Sequence, residues 1–394
     1  MRRFTPLALV LAFVAVAACD DQPEPLAPDA QTVTRADNAI PGQYIVVFKD
    51  DAALGGPAGE VPGLARALAA EFDGRLRVTY QHALKGFAAN LTPSAAAALA
   101  RHPAVAYVEE DQVVALAPPC WVTGSCEDDG GGGGGQTTPW GITRVGGPVD
   151  GTGRVAWIID TGIDLDHPDL NVDVARSAEF VSTGPGSDTP DDGNGHGTHV
   201  AGTVAAINND IDVVGVAAGA TVVAVKVLND QGSGSYSDVI AGIDYVAANA
   251  AGGDVANMSL GGGTSDAVDD AVRNAADQGV FFALAAGNDG EDANNYSPAR
   301  VEYQNVWTVS AFDDTDTFAS FSNWSGPTNP PIEFGGPGVS VLSLYKDGGT
   351  RTLSGTSMSS PHIAGILLMT GGAPTSDGTV SGDPDGDPDP IGHL

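Results

Sequence analysis

Downstream of Gln136 the chain alternates between two kinds of segment, and this alternation restricts its fold more than any other feature. Val155–Ile159, Thr221–Val227, Val255–Met258, Val280–Ala285 and Val306–Ser310 are short, continuous apolar runs. A strand with one side in water alternates apolar and polar residues, so runs like these belong to strands covered on both faces. Between them, His199–Ala206, Ser237–Ala250 and Asp266–Gln278 carry helical spacing. The repetition predicts an α/β domain with a mainly parallel central sheet between helical layers, a three-layer architecture.

Three short segments punctuate the pattern. Ile159-Asp160-Thr161-Gly162 closes the first apolar strand, Asn194-Gly195-His196-Gly197-Thr198-His199 leads into a helix, and Gly355-Thr356-Ser357-Met358 opens another that runs to Met369. Each supplies one member of an Asp, His and Ser set. A serine hydroxyl is a weak nucleophile and needs a base at hydrogen-bond distance, which in turn needs a group to orient it. That logic assigns Ser357 as nucleophile, His196 as base and a carboxylate from the 160–166 stretch, where Asp160, Asp164 and Asp166 all stand, as the orienting group. Two plainer roles compete: Ser357 as a helix cap, and His196 with His199 as metal ligands. The second lacks an HExxH pattern or a third ligand cluster.

The chain order Asp…His…Ser is that of subtilisin, against Ser…Asp…His in α/β-hydrolases and His…Asp…Ser in the chymotrypsin type. With all three segments in agreement, residues from Gln136 to about Met369 resemble the subtilisin-type serine proteases, the subtilases. The resemblance implies a secreted serine endopeptidase that works through an acyl-enzyme and is made as a self-processing zymogen. It selects Asp160, in Asp-Thr-Gly, over its neighbours. It makes Asn288 and the backbone N–H of Ser357 the oxyanion donors. It places an extended peptide or protein substrate between Gly232-Ser233-Gly234 and Ser259-Leu260-Gly261, with Tyr236, Val239 and Leu260 forming a side-chain pocket. It also implies structural Ca²⁺ held by Gln136, Asp169 and Asn209 with the carbonyls of Ile207, Ile211 and Val213, and no organic cofactor.

Upstream, Arg2-Arg3 and the apolar run Leu7–Ala18 read as an export leader, too short to span a membrane. Val16-Ala17-Ala18-Cys19 resembles a lipobox, which would make residues 1–19 a lipoprotein signal with a lipid anchor at Cys19 and place the protein outside the cell or at its envelope. Residues 20–41, rich in Pro, Asp and Ala, read as a tether. Apolar strand candidates at Tyr44–Phe48, Phe87–Leu91 and Val105–Val108, with helices at Leu64–Phe72 and Pro93–His102, give residues 42–116 a β-α-β-β-α-β-like order. This small α+β, ferredoxin-like segment resembles the inhibitory propeptide of subtilases. Residues 117–135 are a linker ending in six glycines; Cys120 and Cys126 close a small loop there that an exported chain could oxidise. The catalytic domain is then 136–372, and the Asp-, Gly- and Pro-rich 373–394 is expected to be a disordered acidic tail. The formal charge of −33 argues against a nucleic-acid partner, because phosphate binding needs clustered Lys and Arg.

Overall fold

The computed structural model describes residues 33–34, 36, 38–50, 61–116, 135–325 and 332–394. The leader with Cys19, most of the tether, and linker residues 117–134 with Cys120 and Cys126 lie outside the described residues.

The first unit is built from β1 (Val33–Thr34), β2 (Ala39–Phe48), α1 (Val61–Glu71), β3 (Arg75–Tyr80), β4 (Gly86–Asn90), α2 (Pro93–Leu99) and β5 (Val105–Ala115). Its sheet runs β1-β5-β2-β4-β3 and is antiparallel apart from the β1–β5 pair. Thr92 caps α2 by accepting a hydrogen bond from the Ala95 N–H, and Pro93 occupies the first helical position, where no donor is lost. Three boundaries differ from expectation. β1 and the start of β2 fall inside the expected tether, because both find partners on β5. β3 supplies the strand of the expected β-α-β-β-α-β order to which no residues had been assigned, and Arg75-Leu76-Arg77-Val78 alternates as a half-buried strand should. β5 continues seven residues past Val108, for a reason that lies in the second unit.

That unit contains α3 (Trp140–Arg144), β6 (Val155–Asp160), α4 (His196–Ala205), β7 (Thr221–Lys226), β8 (Ser233–Ser235), α5 (Tyr236–Asn249), β9 (Val255–Met258) and α6 (Asp266–Asp277). It continues with β10 (Phe281–Ala285), β11 (Val306–Phe312), β12 (Ile332–Pro337), the hairpin β13 (Val341–Tyr345) and β14 (Gly349–Leu353), α7 (Thr356–Thr370), β15 (Thr375–Thr379) and β16 (Pro390–His393). The main sheet runs β15-β16-β12-β11-β10-β9-β6-β7 and then Asn171–Val172. All of its pairs are parallel except β15–β16. Successive side chains of β6 and β7 serve opposite faces. Trp157, Ile159, Val223 and Val225 pack with α5 and α6, whereas Ala156, Ile158, Val222 and Ala224 pack with α4 and α7. The expected three layers follow from that alternation. Helix α7 is buried all round from Thr356 to Leu368, its polar residues confined to the first half and Ile363–Leu368 apolar but for Gly365, which fits a helix that passes through the core.

The expected disordered tail is instead structured. β16 adds to the sheet edge beside β12, Gly335 pairing with Ile391, and β15 folds back on it. Val380 and Ile391 are buried with Phe312. The segment's few apolar residues are spaced to close that edge, a long-range fit that composition does not reveal. It also packs against α7: a Cβ on Gly392 would lie 2.3 Å from the Ile363 side chain.

Candidate active site

Register brings the first of the three glycine-flanked segments into place. On the central strand β6, Asp160 is flanked by β7, where it pairs with Lys226, and by β9, where Met258 pairs with Ile159. Ligands in open α/β sheets bind outside the carboxyl ends of the strands, and Asp160 stands at that end. Its Oδ1 accepts from the Thr161 N–H at 2.7 Å and lies 2.7 Å from His196 Nδ1. Asp160 is fully buried, while the His196 side chain keeps 14% of its surface.

His196 begins α4. Gly195 before it sits at φ +106, and a Cβ there would meet the Tyr345 ring at 2.3 Å, so both backbone and space demand glycine. Gly197 is constrained from the other side, a Cβ meeting the Gly162 carbonyl oxygen at 2.0 Å. The glycines around the histidine therefore let the Asp160 turn and the Tyr345 ring close on it. Burial alone would push the imidazole pKa down; the facing Asp160 carboxylate overrides this, Asp192 adds to it, and the net direction is up. His199, one turn on, is a different case. Its Nε2 faces the carbonyls of Val341 and Arg351 at 3.1 and 3.0 Å, and burial with the neighbouring His196 pushes its pKa down to about 3. It ties α4 to the β13–β14 hairpin.

Ser357 lies in the first turn of α7, where helix N–H groups have no intrahelical partner. Its hydroxyl donates to the Ser259 carbonyl at 3.1 Å, so the hydrogen bond expected toward His196 is replaced here by one to the end of β9. The Ser259 hydroxyl in turn donates to the Ser357 carbonyl at 2.8 Å. Asn288 is held through its oxygen, which accepts from the Thr356 N–H at 2.8 Å and the Thr356 hydroxyl at 3.1 Å. With the oxygen engaged, the NH₂ end is the donor left for a ligand. Asn288, Thr356 and Ser357 line one cavity of about 420 Å³ together with Ser259–Gly263.

The same cavity is bordered by Val113, Ala115 and Leu116 of the first unit. This explains the length of β5. Its end pairs antiparallel with β8, Ser233 with Ala115, Gly234 with Val114 and Ser235 with Val113, and the Leu116 N–H donates to the Gly232 carbonyl at 2.9 Å. A Cβ on Gly234 would lie 2.4 Å from the Val227 carbonyl oxygen. Val114 is buried in the apolar cluster that holds Tyr236, Val239 and Leu260. Of the eight residues expected around a substrate, Gly232, Ser233 and Gly234 pair with β5, Ser259, Leu260 and Gly261 line the cavity, and Tyr236 and Val239 are buried beside Val114. Around it, Asp244 on α5 accepts from the backbone N–H groups of Gln81, His82 and Ala83 at 2.6–3.0 Å. Glu109 accepts from Ser265, the cap of α6, and Asp111 from the Ser237 N–H in the first turn of α5.

The six expected cation ligands also converge. The Gln136 amide nitrogen has the Ile207 carbonyl at 2.7 Å, the Val213 carbonyl at 3.1 Å, Asn209 Oδ1 at 3.3 Å and the Ile211 carbonyl at 3.4 Å around it. An NH₂ group carries two donors and cannot satisfy four oxygens. Asp169 joins through Asn209 Nδ2 at 2.5 Å, and its other oxygen is buried without a partner. A set of hard oxygens with an orphaned carboxylate oxygen suits Ca²⁺.

Three residues near the catalytic segments escaped the sequence reading. Asp192 is buried beneath both the Asp160 turn and the start of α4. Lys226, fully buried, donates to the Thr161 carbonyl and to Asp230 Oδ1 at 3.0 Å. Tyr345 donates to the Asn194 carbonyl at 2.9 Å. A lysine inside an apolar strand was a readable signal for the second; the others depend on loops whose path no local pattern gives.

Comparison with known proteins gives the family of the two units. The model of the subtilase family matches residues 151–373, and that of the peptidase inhibitor I9 matches residues 43–117. The chain is 38% identical to alkaline serine exoprotease A of Vibrio alginolyticus over 87% of its own length and 62% of that protein's. It is 36% identical to proteinase R of Parengyodontium album over 92% of its own length and 87% of that protein's. A crystal structure of a cold-adapted subtilisin-like serine proteinase, 41% identical, superposes with a TM-score of 0.50 over 59% of this chain and 84% of that one.

Proposed function

The chain belongs to the subtilase family of serine proteases and carries an inhibitor I9 propeptide domain ahead of its catalytic domain, and from this premise we propose an exported, self-processing endopeptidase that works through Asp160, His196 and Ser357. The observation that carries the reading is the 2.7 Å Asp160–His196 contact beside a cavity lined by both Ser357 and Asn288.

In this reaction the Ser357 hydroxyl leaves the Ser259 carbonyl and turns to His196 Nε2, which takes its proton as Oγ attacks the peptide carbonyl. Catalytic hydrogen bonds are often made only once substrate is bound. Asp160 fixes the tautomer through Nδ1 and stabilises the imidazolium. The Asn288 NH₂ and the Ser357 N–H receive the oxyanion. His196 then protonates the leaving amine as the C–N bond breaks, and water resolves the acyl-enzyme by the same path. Substrate lies as a strand against β8, where β5 lies in the precursor, so the propeptide inhibits by occupying the groove. Gln136, Asp169, Asn209 and the carbonyls of Ile207, Ile211 and Val213 would hold Ca²⁺, which supplies positive charge to a loop that otherwise packs oxygen against oxygen.

Export is supported by the Arg2-Arg3 and Leu7–Ala18 leader, and Cys19 offers a lipid anchor before processing. Fluorophosphonate labelling of wild type beside Ser357→Ala tests the reading. Label on wild type only, with N-terminal maturation stopped in the variant, is the expected result; equal labelling or equal maturation refutes it.

A further inference from the structure

A second buried carboxylate, Asp192, stands between the two loops that carry the Asp160–His196 pair. Its Oδ1 accepts from the Thr161 hydroxyl at 2.9 Å, the Asn194 N–H at 3.0 Å and the Gly195 N–H at 2.8 Å. Its Oδ2 accepts from the N–H and hydroxyl of Thr198 at 2.9 and 2.6 Å. The Thr161 hydroxyl also accepts from the Gly197 N–H at 2.9 Å. One side chain therefore fastens the residue after Asp160 to residues on both sides of His196. A helix cap needs the bonds to Gly195 and Thr198 but not the one to Thr161.

We propose that Asp192 is a positioning residue of the reaction, fixing the Asp160 turn against the His196 turn and placing its carboxylate beside the imidazole. The inference rests on the proposed triad. Misplacement of a reacting group by about 1 Å can cost about 10²-fold in rate, so the clamp bears on turnover. The charge bears on when the base is free. Besides Asp192, the groups facing His196 are Asp160 from β6 and His199 from α4. Lys226 behind the strand is paired with Asp230, and Lys346 donates to the Gly193 carbonyl. Asp192 acts in the same direction as Asp160, raising the pH at which His196 loses its proton.

The test compares wild type, Asp192→Asn, Thr161→Val and Thr161→Ser as matured enzymes, and Ser357→Ala after its propeptide has been cut in trans by wild type and the wild type removed, on a chromogenic peptide anilide. In Asp192→Asn, kcat should fall about 10–100-fold with KM within about twofold, and the acid limb of kcat/KM should move to lower pH. Thr161→Val breaks the clamp and keeps the charge: kcat falls and the limb stays. Thr161→Ser, which keeps the hydroxyl, retains activity. If Asp192→Asn does not accumulate, the Thr161 pair decides the clamp alone. An unmoved acid limb with kcat within about twofold of wild type, or equal activity of Thr161→Val and Thr161→Ser, overturns the proposal. Activity surviving in Ser357→Ala would instead refute the triad itself.

Discussion

Asp160 Oδ1 lies 2.7 Å from Nδ1 of His196, and the carboxylate is wholly buried while the imidazole keeps an edge on the cleft. Because burial opposes the imidazolium and Asp160 more than restores it, the folded pKa stands above 6.5. The charged pair thus adds stability below 6.5, and that contribution is lost as pH rises through the raised value. Catalysis has the opposite sign, since only neutral His196 can accept the serine proton. The kcat/KM profile should rise with pH through a midpoint above 6.5. Asp160→Asn should move that midpoint down and lower kcat about 10⁴-fold, a loss of the size measured for this position in serine proteases including subtilisin. A pH–rate series on both proteins checks it.

Asn288→Ala should lower kcat by about 10²–10³-fold with little change in KM, a figure established on subtilisin, a member of this family. The split follows from geometry. The Asn288 oxygen is engaged by Thr356, which leaves the NH₂ group to meet the oxyanion in the proposed reaction. Steady-state kinetics on a peptide anilide measure both constants.

Asp244 takes three backbone N–H groups of the propeptide at 2.6–3.0 Å, the densest polar contact between the two units away from the groove. Truncating a buried charged acceptor leaves those donors unpaired, at about 2–5 kcal/mol. Added in trans, the isolated propeptide segment should inhibit matured Asp244→Ala at least about 30-fold less tightly than wild type. Hydrolysis by the uninhibited enzyme should be unchanged, because Asp244 does not line the cavity that Ser357 and Asn288 share. Titration of inhibition reads both effects.

The sequence disclosed elements whose signals are local. Continuous apolar runs marked β6, β7, β9, β10 and β11 to within two residues at either end, and the glycine-flanked Asp, His and Ser marked the ends on which chemistry stands. What it hid was set by distant partners. β5 runs to Ala115 because β8 pairs with it, the tail folds because the β12 edge is open to it, and β13–β14 orders beneath the carbonyl-binding His199. Asp192 was passed over as one acid among many in an Asp-rich loop; only the meeting of Thr161 with Thr198 singles it out.

Removing the cation from the Gln136 cage should cost stability rather than chemistry. A ligand at about 100 times its Kd stabilises the folded state by about 2.7 kcal/mol, worth about 5–10 °C in Tm for a domain of this size. Chelation of the matured enzyme should lower Tm by that amount. Gln136→Ala should show a smaller response to added Ca²⁺, since the cage loses the side chain around which the carbonyls of Ile207, Ile211 and Val213 converge. Calorimetry with and without Ca²⁺ decides it. A wild-type Tm indifferent to both chelator and Ca²⁺ removes the metal from the reading and leaves the triad standing.

The C-terminal hairpin should be required for a stable enzyme although it touches no catalytic residue. Ile391 and Val380 are buried beside Phe312, β16 pairs with β12, and Gly392 lies against Ile363 of the helix that Ser357 opens. Burying two such side chains contributes about 3–6 kcal/mol, a large part of a typical domain's net stability. Ending the chain after Gly372 should therefore lower the urea midpoint sharply and reduce the yield of matured protein. Ile391→Asp, which keeps every backbone bond, should reproduce most of that loss by placing an unpaired charge in the cluster. The surviving folded fraction should keep near-normal turnover per fluorophosphonate-titrated site, because the hairpin meets α7 at Ile363, almost two turns beyond Ser357. A truncated chain with an unchanged urea midpoint would show that the hairpin's buried residues add nothing to the fold.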